Sequence, residues 1–214
     1  MITYRYQPVL KHHGILGMKW GVRRFRNKDG TLNEAGKKRY GYGQDYDTGS
    51  TLKKGSTITR FSFNDKESQN GITYASYKQK DIENYEKEFK SLRDLFGAGS
   101  GGDVYRYDFK LKEDLKIPSR KKMVDMYLET VKNTNPNSRI LRVDRARQEK
   151  AFDKFEYDIV KRKTKTQQYL SYVQMKGYNA LMDTADMKQN NREMPVIVID
   201  RGKSLAINAI NKLD

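Results

Sequence analysis

Pro195-Val196-Ile197-Val198-Ile199-Asp200 is the most strongly apolar run in this 214-residue chain. Four β-branched residues in a row without polar alternation describe a strand buried on both faces. The nearest comparable segments lie far upstream. Ser56-Thr57-Ile58-Thr59-Arg60-Phe61-Ser62-Phe63 alternates, and Gly71-Ile72-Thr73-Tyr74-Ala75-Ser76-Tyr77 forms a second short strand. Asp103 to Lys112 places Val104, Tyr105, Tyr107, Phe109 and Leu111 largely against Arg106, Asp108 and Lys110, a third strand signal. Tyr178 to Asp183 is a further short strand, and Ser204 to Ile207 continues the sheet.

Helical patterns fill the space between. Ile82, Tyr85, Phe89, Leu92 and Phe96 recur at steps of three and four, predicting an amphipathic helix over 80–96. Ser119, after Pro118, is placed to cap a helix running to about Lys132. Asn133-Thr134-Asn135-Pro136-Asn137 breaks it. Helical stretches follow over 142–163 and 166–176, and Gly177 supplies the left-handed stop. Thr184 to Arg192 is expected to be a polar loop. Strands at both ends of the unit with helices between them fit an α+β class better than alternating βαβ units.

Composition bounds the function. The chain can hold one domain plus appendages, since domains run to roughly 100–200 residues. There is no Cys, which excludes disulfides and thiolate catalysis. No apolar run approaches the about 20 residues of a membrane span, and Met1-Ile2-Thr3-Tyr4-Arg5-Tyr6 has no secretory core. The expectation is a soluble protein made inside a cell, with no membrane partner. Residues 1–40 carry ten basic side chains against Asp29 and Glu34, half of the net +16 charge. Such an excess implies a polyanionic neighbour.

Residues 1–50 read as a basic arm and linker, and 51–214 as the folded domain. Within the arm, Met18, Trp20, Arg23 and Arg24 lie in a run spaced by Gly14, Gly17 and Gly21, poor helix sequence suited to a docking segment. His12 and His13 are adjacent and have no carboxylate spaced to complete a metal site, so no metal is expected. Neither glycine-rich stretch, 41–49 or 97–102, ends as a phosphate loop does.

One constellation in the domain has site chemistry. Arg60 and Ser62 lie on the first strand, Tyr74 and Ser76 on the second, and Glu193 just before the apolar run. Arg beside a hydroxyl can clamp phosphate, Tyr can stack on a planar ring, and a carboxylate can stabilise a developing cation. From spacing alone the plainer reading is that Arg60 and Glu193 are exposed strand-end charges and Tyr74 is core.

Two resemblances add to this. His13-Gly14-Ile15-Leu16-Gly17-Met18-Lys19-Trp20-Gly21-Val22-Arg23-Arg24-Phe25, with the segments through Tyr40, resembles a signature of head-region proteins of tailed phages of Gram-positive hosts. It implies a virion-associated minor head or internal protein, made in the host cytoplasm and carried in the virion. Its partners would be the capsid or portal protein, or packaged DNA. Residues 51–210 are similar to the ADP-ribosyltransferase-like domains attached to some phage head proteins, through Lys54 to Ser62, Ile72 to Ser76, Gly177 to Asp183 and Pro195 to Asp200. That resemblance implies a split sheet and, in an active enzyme, NAD held by Arg60, Ser62 and Ser76 with Tyr74 near the nicotinamide. Glu193 would be the catalytic acid, with Asp183 as a rival, and a host protein would be the target. The middle strand reads Tyr-Ala-Ser where active members have Ser-Thr-Ser, and Asn191 stands where arginine-modifying members carry Glu or Gln.

Overall fold

A computed structural model describes residue 33 and residues 48–66, 71–96, 102–160 and 166–213. Strands β1 (Ser50–Leu52), β2 (Thr57–Ser62) and β3 (Thr73–Ser76) precede helix α1 (Gln79–Phe96). Strands β4 (Val104–Leu111) and β5 (Leu115–Ile117) lead into α2 (Arg120–Thr134), a 3₁₀ turn at Arg139–Arg142, α3 (Arg145–Val160) and α4 (Gln167–Met175). The chain ends with β6 (Ala180–Met182), α5 (Thr184–Asn190), β7 (Pro195–Val198), the single turn α6 (Arg201–Ser204) and β8 (Leu205–Leu213). Six strands form one sheet in the order β6-β7-β3-β2-β4-β8, every pairing antiparallel, and β1 and β5 form a separate antiparallel pair. This is an α+β architecture. Ser50 and Thr51, at the expected junction between arm and domain, already pair with β5.

The elements follow from local chemistry. All four residues of β7 are buried, as its unbroken apolar sequence requires, because the strand sits between β6 and β3 with both faces covered. On one face α1 presents Ile82, Tyr85 and Phe89 to Phe61 and Val104. The Ser119 side chain accepts from the Lys122 backbone N–H at 3.3 Å and caps α2. Behind it α2, α3 and α4 meet through Tyr127, Phe152, Phe155 and Tyr169, whose ring centroids lie 4.8–6.1 Å apart. Gly177, with φ +84, stops α4 where expected. Gly49 is held differently: at φ +78, an added Cβ would fall 2.6 Å from the Ile117 carbonyl oxygen, so only glycine lets β1 approach β5.

Three expectations need correction. Thr184–Asn190 is a helix, with Asp183 as its N-cap and Asn191 in the left-handed conformation at φ 53 as its C-cap. The helical region expected from about Arg142 begins at Arg145 as α3, because Arg142 belongs to the preceding 3₁₀ turn. The C-terminal segment does extend the sheet, but as a nine-residue edge strand beside β4, four strands away from β7.

Asp81, in the first turn of α1, is fully buried. Its carboxylate accepts from the backbone N–H groups of Glu193 and Met194 at 2.8 and 2.9 Å, and from the Ser76 hydroxyl at 3.3 Å. It therefore joins β3, α1 and the approach to β7. Asp81→Ala should destabilise the domain by about 2–4 kcal/mol in urea denaturation, because at least one buried N–H loses its acceptor. Lys80→Ala, which removes an exposed 3.2 Å pair with Glu193, should stay within about 0.5 kcal/mol of the parent.

Candidate functional site

A cavity of about 220 Å³ lies between α1 and the sheet, lined by Thr59, Arg60, Phe61, Tyr74, Ala75, Tyr85, Phe89, Asp183, Pro195 and Val196. Pairing of Thr59 with Ser76 and of Ser76 with Pro195 puts Thr59, Phe61, Tyr74 and Pro195 on one sheet face. Phe61 and Phe89 are 5.9 Å apart and with Tyr74 and Tyr85 make the walls. Alternation places Arg60, Ala75 and Val196 on the opposite face, so they meet the cavity at its floor, along the strand backbones.

The polar groups around it are mostly engaged. Thr59 donates to Asp108 at 2.7 Å. The Tyr74 hydroxyl donates to the Ile159 carbonyl at 3.2 Å, and Tyr85 donates to Asp186. Burial, then the adjacent Asp186 carboxylate, raises the Tyr85 phenol far above its ordinary range, so it stays protonated. The Arg192 guanidinium covers the Tyr85 ring at 4.2 Å and pairs with Glu88.

Asp183 stands apart. It is 7 % exposed and its Oδ1 accepts from the Asp186 backbone N–H at 3.1 Å. Among the described residues no cation is within ion-pair distance of it. Burial first, and then repulsion from Glu156 and Asp186, pushes its carboxyl up to about 7, against the lowering effect of the helix N–H groups. Behind it Glu156, 1 % exposed, is held by Arg120 at 3.0 Å and by the Thr184 backbone N–H at 3.0 Å.

The structure thus brings Tyr74 and Asp183 to one cavity, which Arg60 lines from a strand position whose side chain lies on the opposite sheet face, and it places the other candidates elsewhere. Ser62 is buried and accepts from the Asn64 N–H at 3.1 Å. Ser76 is fully buried against Asp81. Glu193 pairs with Lys80 at the surface. Met18, Trp20, Arg23 and Arg24, like His12 and His13, lie outside the described residues. Tyr85 and Phe89 were visible in the sequence only as a helix stripe. Asp183-Thr184-Ala185-Asp186 carried an unused signal, an acidic N-cap with a second acid three residues on.

A second, more open groove of about 550 Å³ runs between α3 and α5, with Lys150, Lys154 and Lys188 along it. Asp153, its neighbour, pairs with Arg120 and with Lys188, the latter at 2.5 Å. Desolvation, followed by repulsion from Arg120, lowers the Lys188 pKa. Among the described residues no group of three or more metal-ligating side chains occurs, and no helix is long and apolar enough to cross a membrane.

Residues 5–27 match a family of unknown function, DUF7211. No curated protein and no solved structure matches the chain.

Asp183 gives the site a pH signature. Its carboxyl keeps a proton to about pH 7 in the folded protein, against an ordinary value of 3.8. Between those values the folded state binds more protons than the unfolded chain, so this group's stabilising contribution is lost as pH rises through about 7. Asp183→Asn keeps a good N-cap and removes the charge. It should be more stable than the parent by about 2–4 kcal/mol near pH 8 and nearly equal to it near pH 4. Denaturation series across that range would show a converging pair of curves; parallel curves would refute the assignment.

Proposed function

We propose that this chain is a virion-associated protein of a tailed phage, a minor head or internal component docked through its basic N-terminal arm. The observation that carries the reading is where the family match falls. Residues 5–27 hold the docking run with Met18, Trp20, Arg23 and Arg24, and they contain six basic and no acidic side chains. A segment recognisable apart from the domain, apolar at its anchors and uniformly cationic, suits an acidic groove on a capsid or portal protein. Packaged DNA is the second candidate surface, with the lysines of the α3–α5 groove adding phosphate contacts of the salt-dependent kind. On this reading the protein is assembled in the host cytoplasm and leaves in the virion.

Deleting residues 1–40 should remove the protein from purified particles while the domain still folds. Trp20→Ala should lower its copy number about tenfold or more, as loss of an aromatic anchor does. Particles containing normal amounts of the deleted protein would end the proposal.

The alternative is an ADP-ribosyltransferase-like domain acting with NAD on a host protein. Its support is the cavity lined by Tyr74 and Asp183, with Arg60 on the strand that floors it, and the antiparallel six-stranded sheet. The cavity is smaller than the about 300–1,000 Å³ of ligand pockets, and Ser76 and Glu193 are committed elsewhere. An active enzyme would label host lysate from NAD, and Arg60→Ala and Asp183→Asn would abolish the label.

A further inference from the structure

We propose that the cavity beneath α1 binds a methylated ammonium group, held over aromatic rings and against the Asp183 carboxylate. Phe61, Tyr74 and Phe89 supply aromatic walls, and Tyr85 adds a fourth ring that already carries the Arg192 guanidinium at 4.2 Å. Aromatic faces attract cations most strongly where water is excluded. The hydroxyls of Tyr74, Tyr85 and Thr59 donate to protein acceptors, so the walls offer an occupant chiefly ring surface. Asp183 supplies the opposite charge, and no ion pair within the described residues neutralises it. A volume of about 220 Å³ suits a compact head group and excludes a dinucleotide. A strongly hydrated primary ammonium gains less here than a methylated one, which gives up little hydration and covers the apolar wall. Neither neighbouring guanidinium pairs with Asp183: Arg192, over the Tyr85 ring, is tied to Glu88, and Arg120 to Glu156 and Asp153.

The full-length protein titrated by calorimetry at pH 8, where the Asp183 carboxyl is ionised, with choline, with tetramethylammonium, and with the uncharged carbon isostere of choline, dimethylbutanol, tests this. Both cations should bind, and the isostere about tenfold more weakly or worse. Asp183→Asn, folded by circular dichroism, should lose about tenfold in cation affinity, and Phe89→Leu should weaken it several-fold without changing the preference for charge. A trimethyl-lysine amide run beside choline separates a partner's side chain from a free small molecule as the source of the group. Equal binding of choline and dimethylbutanol, unchanged affinity in folded Asp183→Asn, or no cation binding at tens of millimolar would each overturn the proposal.

Discussion

The Asp81 carboxylate holds three pieces of the chain that are far apart in sequence. It receives the Ser76 hydroxyl from the end of β3 and the N–H groups of Glu193 and Met194 ahead of β7, while sitting in the first turn of α1. Those N–H groups have no ladder partner of their own at that point, and a buried orphan donor costs about 1–3 kcal/mol. One acid therefore fixes both where α1 starts and where β7 joins the sheet. The elements it anchors also line the cavity: α1 carries Tyr85 and Phe89, and Pro195 follows Met194 directly.

A second polar network supports the other side. Arg120 of α2 reaches Glu156 and Asp153 of α3 and the Thr184 hydroxyl of α5 at 2.7 Å, with its guanidinium 4.4 Å from the Phe152 ring centre. An ion pair this deep contributes little net stability against hydrophobic replacement, but leaving one member alone is expensive. Its consequence is geometric: three helices share one donor fork, and α5 is held with its N-terminus beside the sheet. Asp183 lies between the two networks and belongs to neither.

Much of the sheet was legible because period-two patterns are unambiguous when β-branched and aromatic residues carry them, as in β2, β4 and β7. The stripe on α1, the Ser119 cap and the Gly177 stop were equally plain. Helix α5 was not, since seven residues with Met187 as the sole large apolar side chain show no period. Nor could spacing tell which sheet edge β8 would take; alternation predicts a strand and says nothing of its neighbour. The site fared worse for a related reason. Ser76 and Glu193 have the residue types of a catalytic pair, yet the same hydroxyl and carboxylate serve a buried turn and a surface ion pair. Residue chemistry names what a side chain can do, while its partners decide what it does. Tyr85 and Phe89 were legible as the apolar stripe of a helix and are half-buried against the sheet, but that a stripe leaves a void above the strands emerges only from three-dimensional packing.

The identity of the residue at 183 bears on what the void is for. As N-cap of α5 it has one local task, accepting the Asp186 N–H, and Asn or Ser would perform it without a charge to desolvate. The helix dipole favours an acid there only slightly, by about 0.3–1 kcal/mol at exposed sites. Against that stand burial and the Glu156 and Asp186 carboxylates, together strong enough to bring the group to about 7. Capping alone therefore leaves Asp183 as an unfavourable choice, more so because this chain has 43 basic side chains and none described pairs with it. A carboxylate kept at such a position, facing aromatic rings, is accounted for once a cation from outside the chain completes the site.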